Sequence, residues 1–290
     1  MKMDVWTIVA DAESGLSERL AAMLNQSFAG LAGQGGEGPW ELPGDGGLIR
    51  CCLKIGQGRD EFCNRTGHVL AEYTVMEREL VQLRQLLHNQ YGFRNPIELD
   101  VMISEAIGLL DGEPEADEAV AGRGRDKRIR RLAQQFAAYL RENEFLHLEG
   151  FIRFRLRDYE AEVKEAAATV AEERLMDRQY EEFVSLLHSM VEWQEVRVPE
   201  VHVLHGGGHA FRLLDEKLRP LEKEAPSWAE TSEEQAERDS LEEESLLVSR
   251  LLAVSPRRLY IHTREPEAQV IRTLMGIFGE RAALYPEQPT

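Results

Sequence analysis

Three cysteines in 290 residues leave no basis for a disulfide framework. Cys51 and Cys52 are adjacent and would point to opposite faces of a strand, and Cys63 stands alone, so they make neither a bridged scaffold nor a spaced metal knuckle. Each thiol reads as a small apolar residue. No segment approaches the roughly 18 to 20 uncharged apolar residues of a membrane span. The opening MKMDVWTIVADAESG, with an acid at position 4 and only a short apolar run, is too slight for a secretory signal. A cytoplasmic chain is therefore expected. Positive charge is also scarce. Lys and Arg number 34 against 52 Asp and Glu, a net charge of −18, which argues against broad affinity for a polyanion. Part of that acidity is local, since residues 222–245 hold ten acids against Lys223 and Arg238 and read as a flexible acidic insert.

The motifs of common enzymes are missing or out of context. Gly33-Gln-Gly-Gly-Glu-Gly38 has the spacing of a dinucleotide fingerprint. That motif works only between a strand and a helix N-terminus, and here Pro39-Trp40-Glu41-Leu42-Pro43 follows. His205-Gly-Gly-Gly resembles a lipase oxyanion segment, but the chain has no G-x-S-x-G nucleophile turn. A phosphate loop ending in Gly-Lys-Ser/Thr and a His-Glu-x-x-His motif are absent too. No catalytic residue and no cofactor are assigned, and the chain reads as non-enzymatic rather than as an enzyme.

What is present is helical periodicity. Residues 146–194 carry the longest apolar pattern, with Ile152, Leu156, Tyr159, Val163, Ala166 and Val170 on one helical face. A second stripe, Met176, Tyr180, Phe183, Leu187 and Met190 with Gln194, starts out of phase, so the spacing predicts two helices or one bent near residues 174–177. Before this lie a strand at residues 5–10, a helix at 16–28 and a strand at 48–55, a β-α-β beginning. A long helix is expected between Gly58 and Gly92 with Phe62, Val69, Tyr73, Met76, Leu80, Leu83 and Leu87 inward. Another starts at Pro96, where proline suits a first turn, and a third follows Asp126. After Gln194 the period becomes alternating. Residues 200–204 and 210–214 form a hairpin around His205-Gly-Gly-Gly-His209, and residues 259–285 read as strand, helix, strand.

The expected fold is α+β, a predominantly helical centre with a β-hairpin and small β-α-β units near both termini, and the sequence leaves open whether the terminal strands share one sheet. The expected division is residues 1–112 and 123–290, with 222–245 as the acidic insert.

Leu148-Glu149-Gly150-Phe151-Ile152-Arg153-Phe154-Arg155-Leu156, Asp158-Tyr159, Gln179-Tyr180-Glu181-Glu182-Phe183 with Leu186-Leu187, and Val201-His202-Val203 carry a family likeness. Through them the chain resembles the YtxC family of endospore-forming bacteria, most clearly over residues 145–215 and more faintly over 259–278. The resemblance implies an association with sporulation. It carries over no catalytic residue and no activity.

Two constellations remain as candidate sites. Arg123, Arg125, Lys127, Arg128, Arg130 and Arg131 fall within nine residues, opposed only by Asp126, and Arg153, Arg155 and Arg157 follow. Such a cluster suits an anion or a nucleic-acid backbone, whereas the structural reading pairs it with the chain's own carboxylates. Arg128, Arg131, Arg153, Arg155 and Arg157 are the candidate binding residues. On one helix, 153 and 157 would share a face with 155 turned away. The second constellation is His202, His205 and His209, which a hairpin would bring near one another as weak metal candidates. A protein partner is expected, through the helical surface and charged segments, with nucleic acid as the alternative partner and metal-dependent chemistry at the histidines as a lesser one.

Overall fold

The computed structural model describes residues 4–10, 16–29, 39–43, 47–53, 58–112, 123–206, 211–221 and 233–285. The fold is α+β. It divides into two units, Met1–Arg174 and Leu175–Thr290. The division expected between 112 and 123 falls elsewhere: the helices on either side of that stretch both pack in the first unit, tied by Arg128 to Asp111 at 2.9 Å.

The first unit opens with β1 (Asp4–Val9), α1 (Leu16–Ser27), β2 (Trp40–Glu41) and β3 (Leu48–Leu53). Alternation turns Trp6 and Ile8 of β1 inward with Ile49 and Cys51 of β3, and leaves Val5 exposed. β1 and β3 pair antiparallel, and a short strand β4 (Phe145–His147) joins β1 in parallel, giving the order β2-β3-β1-β4. Trp6, Phe28, Trp40 and Phe62 gather beneath this sheet, with Trp40 stacked on Phe62 at 5.7 Å.

The helix after β3 runs unbroken as α2 (Arg59–Tyr73), a π turn (Thr74–Arg78) and α3 (Glu79–Asn89). The wide turn rotates the buried face. Thr74, Val75, Glu79, Leu83 and Leu87 point inward, while Met76 and Leu80, expected inside, are exposed. α4 (Pro96–Asp111) starts on Asn95, whose side chain accepts from the Ile97 N–H, and on Pro96 at the first helical position. α5 (Arg123–Glu142) buries Ile129, Leu132, Phe136 and Leu140.

α6 (Leu148–Arg155) and α7 (Arg157–Trp193) follow, separated at Leu156. The interruption expected near 174–177 is thus eighteen or so residues early, and α7 continues as one helix through that region. Tyr159, Val163, Ala166 and Val170 are buried as the stripe requires.

The second unit holds a separate sheet, order β6-β5-β7-β8, so the strands of the two ends do not share one. β5 (Val198–His205) and β6 (Phe211–Asp215) make the expected hairpin. α8 (Glu233–Val254) leads to β7 (Pro256–His262), parallel to β5, and α9 (Gln269–Phe278) leads to β8 (Ala282–Tyr285), parallel to β7. Val201, Val203, Leu259 and Ile261 face Leu251 of α8 and Val270, Ile271, Leu274 and Phe278 of α9 in a second apolar core.

The cysteines are all free. Burial, with Cys52 and Glu41 adding to it, pushes the Cys51 thiol up to about 12, and burial raises Cys63 as well. Only Cys52 is exposed. Titration of the native protein with an aromatic disulfide at mildly alkaline pH is expected to consume the Cys52 thiol at once and the other two only on unfolding, because the thiolate is the reacting species.

Candidate functional site

Most of the basic region is neutralised within the first unit. Arg128 is buried, donating to Glu79 Oε1 at 3.0 Å and Asp111 Oδ1 at 2.9 Å. The Tyr159 hydroxyl donates to the other Glu79 oxygen at 3.0 Å. Burial raises the Glu79 carboxyl above its ordinary range against the pull of Arg128 and Tyr159. It also pushes the Tyr159 hydroxyl up, helped by Glu79. Arg131 pairs with Glu162 at 2.5 Å, and this bond raises its own value. Arg125 reaches Asp111 at 3.5 Å and Arg141 reaches Asp60 at 3.1 Å. The guanidiniums of Arg128 and Arg131 are therefore occupied in holding α3, α5 and α7 together.

Arg153, Arg155 and Arg157 differ. All three are exposed, and none makes an ion pair among the described residues. The helix break at Leu156 places 153 and 157 on different helices, so the expected shared face does not apply. The Arg153 guanidinium lies 5.8 Å from the ring centroid of Phe154, which is itself exposed.

The histidines do not converge. His202 and His205 are three residues apart on β5, and a period of two puts them on opposite faces. His205 is buried on the helix side, its Nδ1 2.8 Å from Thr263 Oγ1 and its ring stacked on Phe211 at 4.9 Å. His202 lies on the other face, its Nδ1 3.0 Å from His262 Nε2. Burial, and then the neighbouring His262, hold its value below the ordinary imidazole range. His209 lies outside the described residues. Among the described residues no three His, Cys, Asp or Glu side chains gather as metal ligands.

On α7 the second stripe seen in the sequence is only partly covered, which periodicity does not show. Its residues after 174 have two apolar faces. Val184, Leu187 and Val191 turn to the core of the second unit, and Tyr180 bonds through its hydroxyl to Thr273. The adjoining arc carries Met176, Phe183, Leu186, Met190 and Trp193, exposed by 68%, 55%, 70%, 49% and 89%. At 100° per residue these five fall within about 100° of one another, over about 26 Å of helix.

A family model described as the YtxC-like family matches residues 64–283. The chain belongs to the YtxC-like family. It is 22% identical over 219 residues to the "Uncharacterized protein YtxC" of Bacillus subtilis (strain 168), covering 75% of each chain. No solved structure matches. The YtxC-like span takes in the buried Glu79–Arg128–Tyr159 network, the exposed arginines at Leu156 and the exposed arc of α7. Among the described residues no helix is long and apolar enough to cross a membrane.

Proposed function

We propose that this chain is a non-enzymatic interaction factor of the cytoplasm, associated with sporulation, that docks a basic amphipathic helix of another protein on the exposed arc of α7. The observation that carries the reading is the arc itself. Five large apolar side chains in one row cost free energy in water, about 25 cal/mol for each Å² a partner would cover, and a row of this kind marks an interaction site on a folded protein. The occupant follows from charge. Glu172 and Glu182 border the arc, Gln179 is the polar residue within it, and the chain is strongly acidic. A helix with an apolar stripe flanked by Lys and Arg complements that surface in shape and sign.

The test is a photo-crosslinking residue placed at Leu186 in sporulating cells, with Glu181 on the far side of the helix as control. Crosslinks from 186 alone, mapped by mass spectrometry to a basic amphipathic helix and lost on Phe183→Asp, support the reading. Crosslinks to a second copy of this chain, or none beyond the control, overturn it.

A second reading is favoured by one observation, the exposed and unpaired Arg153, Arg155 and Arg157 beside Phe154: these residues hold an anion or a nucleic-acid backbone. Retention on an anionic column at low salt that survives Arg155→Glu with Arg157→Glu counts against it.

A further inference from the structure

The second sheet has one face against its helices and one outside that core. Val201, Val203, Leu259 and Ile261 fill the first. On the other, strand register sets His202 beside Tyr260 and His262 beside Tyr285. Their four rings form a continuous plate. His202 stacks on Tyr260 at 5.0 Å and on His262 at 5.3 Å, Tyr285 stands edge-on to Tyr260 at 5.4 Å, and His262 lies 5.6 Å from Tyr285. None of the four belongs to the apolar core. His202 and Tyr260 are half-buried, Tyr285 is exposed, and His262 is buried.

Two exposed arginines share this face. Arg258 is two residues before Tyr260 and donates to its hydroxyl at 3.4 Å. Arg212 is paired in register with Leu204 of β5. Glu200 is the acid of the same face, opposite Arg258 in register. At the carboxyl ends of β7 and β8, Thr263, Arg264, Pro266 and Tyr285 line a depression of about 400 Å³. The plate therefore ends in a recess with a third arginine at its wall.

We infer that this sheet face binds single-stranded RNA, two or three bases stacking on His202, Tyr260 and Tyr285, with the buried His262 holding His202 in place and Arg212, Arg258 and Arg264 taking the backbone phosphates. A four-stranded sheet whose outer rings stack unpaired bases is a physical solution to this recognition problem. Stacking is independent of net charge, which is why an acidic chain can use it, and arginines beside the rings supply the electrostatic part locally. Each of these rings carries a polar atom at its rim, suited to base edges and to the 2′-hydroxyl that DNA lacks. This binding is separate from the α7 arc.

The test uses the full chain and a fluorescent single-stranded RNA of about 12 nucleotides, with DNA of the same sequence and duplex RNA as competitors. Anisotropy at low salt is expected to show binding to the single-stranded RNA that the two competitors do not displace. Tyr260→Ala is expected to weaken it about 10-fold or more, and Tyr260→Phe, which keeps the stacking surface and controls for folding, to retain most of it. Arg258→Glu should flatten the salt dependence by about one phosphate contact. Equal binding of DNA, binding unchanged by Tyr260→Ala, or no binding at all overturns the inference. Loss with Arg155→Glu but not with Tyr260→Ala also overturns it and assigns the binding to the arginines at Leu156. Leu186→Asp should leave RNA binding intact, which keeps a failure here distinguishable from a failure at the α7 arc.

Discussion

Replacing Glu79 by alanine is expected to lower the stability of the first unit by about 3–5 kcal/mol, the cost of leaving a buried charge without its partner. Arg128 is only 6% exposed and Glu79 1%, so water cannot replace the lost carboxylate. Asp111 remains as a counter-ion at 2.9 Å, but its side chain is 26% exposed and neutralises the guanidinium from the solvent side only. The Tyr159 hydroxyl loses its acceptor as well, and an unsatisfied buried hydroxyl adds about 1–3 kcal/mol where no other acceptor is in reach. Urea denaturation followed by hydrogen exchange over residues of α3, α5 and the first half of α7 reads the loss and confines it to this unit. The second unit should keep its protection.

A double variant separates the ion pair from mere packing. Glu79→Leu with Arg128→Met fills both positions with apolar side chains and removes both charges, and buried pairs replaced in this way often lose nothing. Most of the deficit of the single variant should return, leaving about 1 kcal/mol for Tyr159. A double variant as unstable as Glu79→Ala would mean that shape, not unpaired charge, governs the site.

Much of the architecture was legible because its signals are local. The stripe from Ile152 to Val170, the inward residues of α5, the Asn95-Pro96 helix start and the hairpin all depend on neighbours within a few residues. The strand–helix–strand at the chain's end did too, and its two strands pair in parallel. The failures are non-local. β4 is three residues long and is a strand only because residues 145–147 meet β1, more than 130 positions earlier. The π turn at 74–78 shifts the buried face by an amount that no apolar count before it announces. Glu79 looks like one acid on a charged helix, since the partners that bury it are at 111, 128 and 159. Periodicity also cannot say whether a stripe is covered: Val163 and Phe183 sit in equally regular rows, yet one is fully buried and the other 55% exposed. The separation of His202 from His205 was within reach of the sequence, because an odd spacing on a strand puts two side chains on opposite faces.

Gly67→Ala is expected to destabilise the first unit by about 3 kcal/mol, at the upper end of what overpacking costs. α2 and α5 cross so closely that a Cβ on residue 67 would lie 2.8 Å from the Ala133 carbonyl oxygen and 2.8 Å from the Ala137 nitrogen. Both are backbone atoms in the middle of a helix, so no rotamer change relieves the contact and the two helices must move apart. Helical propensity alone argues the opposite way, since alanine exceeds glycine by about 1 kcal/mol in a helix interior. Gly108 in α4 provides the comparison, because nothing lies within 4 Å of its added Cβ. There Gly108→Ala should stabilise by up to about 1 kcal/mol. Thermal unfolding of the two variants beside the parent is thus expected to give shifts of opposite sign. A rise in both would show that the α2–α5 crossing yields more readily than two backbones at this separation allow.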